Sequence, residues 1–294
     1  VATVMAMAAV AQDMREEIKA NPEKAAGVYR LYPTEFPALT PAPKGYKPFY
    51  ISHYGRHGSR YILRNHKFDN VFDVFAKADK AGKLTPFGKE VYGRMQRIAD
   101  VCQGLAGDLT PLGQEQHRGI AKRMYEGYPE IFRHDPTISS VATIIPRCLL
   151  SMNAFTNELL RCDGSLRITL DTGYKYMCYL NPYYRDNSPA LSARIDKYRY
   201  PVGPWVDDWY AFRRATVDNT RLLHSLFKED FAAGIENAND FAINLFRVTV
   251  NTPNTPAQVD MSDIFTADEK YTWWRLINAI FLSLIHISEP TRRR

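Results

Sequence analysis

Apolar positions recur at helical spacing through Phe68, Val71, Phe72, Phe75 and Ala78, and Gly82 follows, so the pattern predicts a helix closed by a glycine. Val91, Met95, Ile98, Cys102 and Leu105 repeat the spacing for a second helix. Thr110-Pro111 supplies an N-cap and a first-turn proline for a third, which carries Leu112, Ile120 and Met124. Two runs read as strands. Phe49-Tyr50-Ile51-Ser52 is short, apolar and β-favouring and leads into Gly55 and Gly58, which predicts a buried strand ending in a loop. Ile138 to Ile145 is rich in β-branched residues, and Pro146 both ends it and can open a helix holding Leu149, Met152, Phe155 and Leu159. Arg147 then falls in that helix's first turn.

From about Ser165 to Met261 the pattern turns aromatic and irregular, with Tyr174, Tyr176, Tyr179, Tyr183, Tyr184, Tyr198, Tyr200, Trp205, Trp209 and Tyr210. We read this stretch as a mainly helical insertion. The expected fold class is α/β, a mostly parallel sheet flanked by helices. Residues 12–164 form its first part, 165–262 the insertion, and 263–281 the start of a return to the sheet.

Composition changes this picture little. Of 294 residues, 45% are hydrophobic and 24% charged, and no apolar run reaches bilayer length. The formal charge of +6 owes part of its size to Arg292, Arg293 and Arg294, and the remaining excess is mild. It suits an anionic substrate, and no nucleic-acid reading motif accompanies it. Residues 1–11 are small and apolar and end Ala9-Val10-Ala11 before Gln12, which reads as the remnant of a secretory signal with its cleavage site; an ordinary helix start is the alternative. Export to the periplasm or beyond is the expectation. Cys102, Cys148, Cys162 and Cys178 fit two disulfides or four buried thiols, and their spacing matches no metal or redox pattern.

The chemistry concentrates in Arg56-His57-Gly58-Ser59-Arg60. Hydrolysis of a phosphomonoester needs an in-line nucleophile, cations for the equatorial oxygens and an acid for the departing alkoxide. A histidine nitrogen can take the phosphoryl group covalently, and flanking guanidiniums can hold its oxygens by bidentate charge-assisted hydrogen bonds. Gly58 is expected to let the backbone pass close to a ligand. Arg147, at a helix N-terminus that itself favours anions, is a candidate partner from a distant segment.

Between Tyr50 and Phe155 the chain resembles the histidine acid phosphatase branch (clade 2) of the histidine phosphatase superfamily. The matching pieces, in order, are His53-Tyr54-Gly55-Arg56-His57-Gly58-Ser59-Arg60, then Leu109-Thr110-Pro111-Leu112-Gly113 with Gln116-His117-Arg118-Gly119, then Pro146-Arg147-Cys148 with Ser151-Met152 and Ala154-Phe155. The second and third pieces are similar to those of bacterial multiple inositol polyphosphate phosphatases and phytases. The resemblance implies an α/β phosphatase domain with an inserted cap, a phosphorylated His57, phosphate binding by Arg56, Arg60 and Arg147, a phosphorylated small-molecule substrate such as phytate, and no metal or cofactor. Gln116, His117 and Arg118 are expected to serve as structural support. Arg194, Lys197, Arg199, Arg213 and Arg214 could reach outlying phosphates, although their spacing singles none of them out.

Two departures qualify the resemblance. Family members carry the leaving-group acid in a His-Asp or His-Ala-Glu motif beyond the insertion, and this chain has neither there; His134-Asp135 precedes the second strand and reads as a turn before Pro136. Leu282 to Arg292 resembles the in-frame translation of a common transposase sequencing adapter, so residues 282–294 are expected to be non-native. The expectation that follows is a chain lacking the last part of the α/β domain and its proton donor, with little activity of its own. A broad acid phosphatase, a phosphoglycerate phosphatase and a phosphate-binding module without catalysis are the alternative readings.

Overall fold

A computed structural model describes residues 13–62, 65–181, 189–198 and 201–288. The signal-like residues 1–11, Tyr183, Tyr184, Arg199 and Tyr200 lie outside the described residues, as do the side chains of Arg194 and of the adapter-like tail.

Local chemistry explains where most elements begin. Asp13 accepts a hydrogen bond from the Arg15 amide at 2.9 Å and starts α1 (Met14–Ala20), and Pro22 opens a 3-10 helix, Pro22–Tyr29. An irregular segment then leads to the loop at 56–60. Helix α2 (Asn65–Lys80) stops at Gly82, whose φ of +65° suits a residue without a side chain. Thr85 and Thr110 cap α3 (Pro86–Cys102) and α4 (Pro111–Gly127), accepting from the Gly88 and Gly113 amides at 2.9 and 3.1 Å, and each is followed by a first-turn proline. Next come α5 (Pro129–His134), β1 (Thr137–Ala142), α6 (Pro146–Cys162), β2 (Arg167–Thr172) and α7 (Tyr174–Leu180). The remaining elements are α8 (Pro189–Tyr198), α9 (Val206–Thr216), α10 (Thr220–Leu226), α11 (Glu229–Ala232), α12 (Ala238–Asn251), a 3-10 turn at Thr252–Asn254, and α13 (Ala267–Ser288).

The protein is rich in helix with a small parallel sheet. Strands β1 and β2 pair from Thr137 opposite Arg167 to Ala142 opposite Thr172, with α6 as the crossover of a βαβ unit. One expectation needs correcting. Phe49–Ser52 is not a buried strand: Phe49 and Tyr50 are 87% and 73% exposed, and the segment has no ladder partner among the described residues. Apolar character alone does not make a strand, because an extended backbone needs a neighbour for its N–H and C=O groups. The described part of the stretch from Ser165 to Met261 is mainly helical as read, and it opens with β2, which pairs with β1 before the helices begin.

Two hydrophobic clusters hold these elements. The larger joins α2, α3, α10, α12 and α13 through fully buried Phe75, Met95, Leu226, Phe246 and Trp273. The smaller lies where α4 packs along α6 over the sheet, through Ala121, Phe132, Phe155, Leu159 and Leu166, with Ile51 packed against it. The four cysteines are free thiols. Among the described residues, no helix is long and apolar enough to cross a membrane.

Candidate active site

The loop at 56–60 borders a cavity of about 380 Å³ whose walls also include Tyr29, Arg30, His53, Gln116, His117 and Asn254. Several polar backbone groups of the loop are engaged by scaffold. The Arg56 carbonyl accepts from His117 Nε2 at 3.1 Å, the Gly58 amide donates to Ser151 Oγ at 3.1 Å, and the Ser59 amide donates to Gln116 Oε1 at 2.8 Å. The Ser59 carbonyl accepts twice from Thr110, from its amide at 2.9 Å and its hydroxyl at 3.0 Å. Arg60 bridges to Leu109 in an isolated antiparallel pair. The three sequence motifs therefore converge: α4 and α6 hold the loop that carries the histidine.

Gly58 sits where the loop meets the start of α4. A Cβ there would lie 2.3 Å from the Gly113 carbonyl oxygen, and a Cβ on Gly113 would lie 2.2 Å from the Ser59 carbonyl oxygen. The two glycines let the loop and the start of α4 touch backbone to backbone, and Gly58 also lines the cavity.

His57 is held as a neutral imidazole. Its Nδ1 lies 2.8 Å from the Gly58 carbonyl, which can only accept, so the proton resides on Nδ1 and Nε2 keeps its lone pair. Burial lowers the pKa of His57 to about 4, and the positive charges of Arg56, Arg147 and Arg60 push in the same direction against the Gly58 hydrogen bond. Burial also lowers the pKa of His53, which stacks on Phe155 at 5.2 Å, and of His117.

The arginines are held by different means. Arg56 Nη1 donates to the Val28 carbonyl at 2.9 Å. Arg60 is buried, donates to the Tyr61 carbonyl at 3.0 Å, and lies 5.8 Å from the Tyr29 ring centroid. Burial lowers its pKa, offset by Tyr29. Arg147 lies in the first turn of α6 as the pattern predicted, and its Nη1 reaches the Gly107 carbonyl at 3.4 Å. Its Nε is buried without a hydrogen-bond partner, and it is not among the cavity's lining residues although its charge is felt at His57. A buried donor without an acceptor costs roughly 1–3 kcal/mol.

Other candidates lie elsewhere. Arg213 pairs with Asp240 at 2.9 Å, Lys197 sits over Tyr198, and neither these nor exposed Arg214 line the cavity. Asp135 accepts from the Thr137 amide at 2.9 Å in a turn leading into β1. None of the described residues lining the cavity is a carboxylic acid. Sequence reasoning gave no part to Tyr29, Arg30 or Asn254, which come from segments with no recognisable motif.

No protein-family model matches the chain, and no curated protein matches it. Solved structures do. The chain is similar to the multiple inositol polyphosphate phosphatase of Bifidobacterium longum in complex with inositol hexasulfate, with a TM-score of 0.56 and 18% identity over 89% of this chain and 67% of that one. The likeness is one of fold. Against the apo form the TM-score is 0.55 over 83% of this chain and 64% of that one, and against the phosphate complex 0.50 over 80% and 61%, both at 18% identity. The chain thus spans 61–67% of the length of these phosphatase structures.

Proposed function

We propose that the protein is a phosphomonoesterase working through a phosphohistidine at His57, with inositol polyphosphates such as phytate as its substrate class. One observation carries this reading: a neutral imidazole, with its lone pair on Nε2, borders a cavity within the field of three arginines. In the first step Nε2 attacks phosphorus in line, the P–N bond forms, the P–O ester bond breaks, and the alkoxide takes a proton. Arg56 and Arg60, which line the cavity, neutralise the equatorial oxygens, and Arg147 adds positive charge from behind the lining. In the second step water attacks the phosphohistidine, releasing orthophosphate and restoring His57. The similarity in fold to an inositol polyphosphate phosphatase supports the substrate class.

The weak point of this apparatus is the first proton. The described lining residues offer no carboxylic acid to protonate an alkoxide, whereas a stabilised phenolate departs without a proton. The chain is therefore expected to release phosphate slowly from phytate and phosphoglycerates and faster from an aryl phosphate. The same observation favours a second reading, a phosphate-binding module without turnover. Phosphate release from the three ester classes, by this chain and by His57→Ala, separates them: turnover of the aryl ester that depends on His57 supports the enzyme, and orthophosphate binding with no turnover of any ester supports the module.

A further inference from the structure

Gln116 and Asn254 lie 57 and 195 residues along the chain from Ser59, yet the three side chains form one hydrogen-bonded series. Its direction is fixed step by step. Because Gln116 Oε1 accepts the Ser59 amide at 2.8 Å, its Nε2 is the donor that reaches Ser59 Oγ at 2.8 Å. The Ser59 hydroxyl proton then goes to Asn254 Oδ1 at 2.6 Å, and Asn254 Nδ2 is left to donate to the Tyr29 carbonyl at 2.7 Å. Ser59 and Asn254 are 8% and 5% exposed, so water does not readily replace either partner.

The far end of this series is where two phosphate-site arginines are anchored. Arg56 donates to the carbonyl of Val28, next to Tyr29, and the Arg60 guanidinium lies beside the Tyr29 ring. Asn254 is thus the link, through the Val28-Tyr29 strip, between a turn after α12 and both guanidiniums. We propose that Asn254 is a positioning residue of the phosphate site, holding Tyr29 so that Arg56 and Arg60 converge on an anion bound beside His57. The proposal rests on the phosphate-site reading above, and it assigns to the turn after α12 a part that no motif of the sequence announces.

Asn254→Asp is the sharpest variant. It keeps the acceptor for Ser59 but places an oxygen against the Tyr29 carbonyl, which repels the strip that holds the arginines. Because a buried charge can itself disturb folding, Ser59→Ala serves as a neutral second variant that cuts the same series at its middle. Calorimetric titration of the full chain with inorganic orthophosphate, well below each variant's melting midpoint, reads the effect on folded protein. The expected result is binding about tenfold weaker in both variants at unchanged stoichiometry, the size of one buried hydrogen bond lost near a charged group. A purely structural role would lower the melting midpoint and leave the affinity of the folded chain as it was. Wild-type binding matched by both variants overturns the inference alone, whereas a wild-type chain that takes up no orthophosphate overturns the phosphate-site reading and the inference together.

Discussion

The two hydrophobic clusters differ in what they are built to do. The larger is dry and aromatic: Phe75 is fully buried and sits 5.3–5.9 Å from Tyr92, Phe227 and Phe241. The smaller is thin, and its sheet leaves Val141 and Leu170 40% and 47% exposed. The loop with His57 lies between them, tied to the smaller by Gln116, His117 and Ser151 and to the turn after α12 by Asn254. Stability and function are therefore divided: the larger cluster supplies burial, and the smaller supplies oriented polar contacts to the loop.

This division can be tested by perturbing each side. The largest loss of stability is expected from Phe75→Ala, about 3–5 kcal/mol for an aromatic side chain removed from a filled site. Urea unfolding should show it, while orthophosphate affinity of the folded fraction stays at the wild-type value. A loss of affinity on that substitution would break the division. Gly113→Ala acts from the other side. Its Cβ meets loop backbone, so the loop must move at a cost of roughly 1–3 kcal/mol, and phosphate binding should fall far more than that stability loss suggests.

Acidification probes the loop without mutation. His57 is held neutral, with its folded pKa depressed from the ordinary histidine value of roughly 6.5 to about 4. The unfolded chain therefore binds the extra proton first as the pH falls, so the stabilisation is whole above the unfolded value and is lost progressively between the two. The loss by pH 4 should be on the order of 1–3 kcal/mol, allowing for the partial exposure of the ring. Burial shifts His53 and His117 the same way and adds to it. His57→Gln should flatten part of that slope in urea midpoints measured from neutral pH to about pH 4. An unchanged slope would contradict the buried neutral imidazole. The smallest effect is expected from Thr110→Ala, about 1 kcal/mol for a lost N-cap, with some loosening of the Ser59 carbonyl that Thr110 also holds.

What could be read along the chain was what local chemistry writes into it. Thr110-Pro111, Pro146 and Gly82 mark helix ends because capping and φ preferences act within a few residues, and the structure puts α4, α6 and the end of α2 there. Strands were harder. Phe49–Ser52 has the composition of a strand but no ladder partner among the described residues, and Arg167–Thr172 becomes one because β1 lies beside it. At the candidate site, the grouping of His57 with Arg56, Arg60 and Arg147 followed from motif order, and the charges of all three act on the imidazole while Arg147 stays off the cavity lining. Asn254 and Tyr29 carried no signal, since a contact across 225 residues leaves no trace in local spacing. The contact of Gly58 with the backbone of Gly113 was not legible, because it exists only once α4 is in place.

The central claim is that His57 Nε2 accepts a phosphoryl group, and trapping that adduct tests it most directly. The full chain is mixed with an aryl phosphate radiolabelled at phosphorus, quenched in alkali, and digested to locate the label. The account predicts an alkali-stable, acid-labile label on His57 that is absent from His57→Ala. Label on another residue, or equal phosphate release by the wild type and His57→Ala, would contradict it.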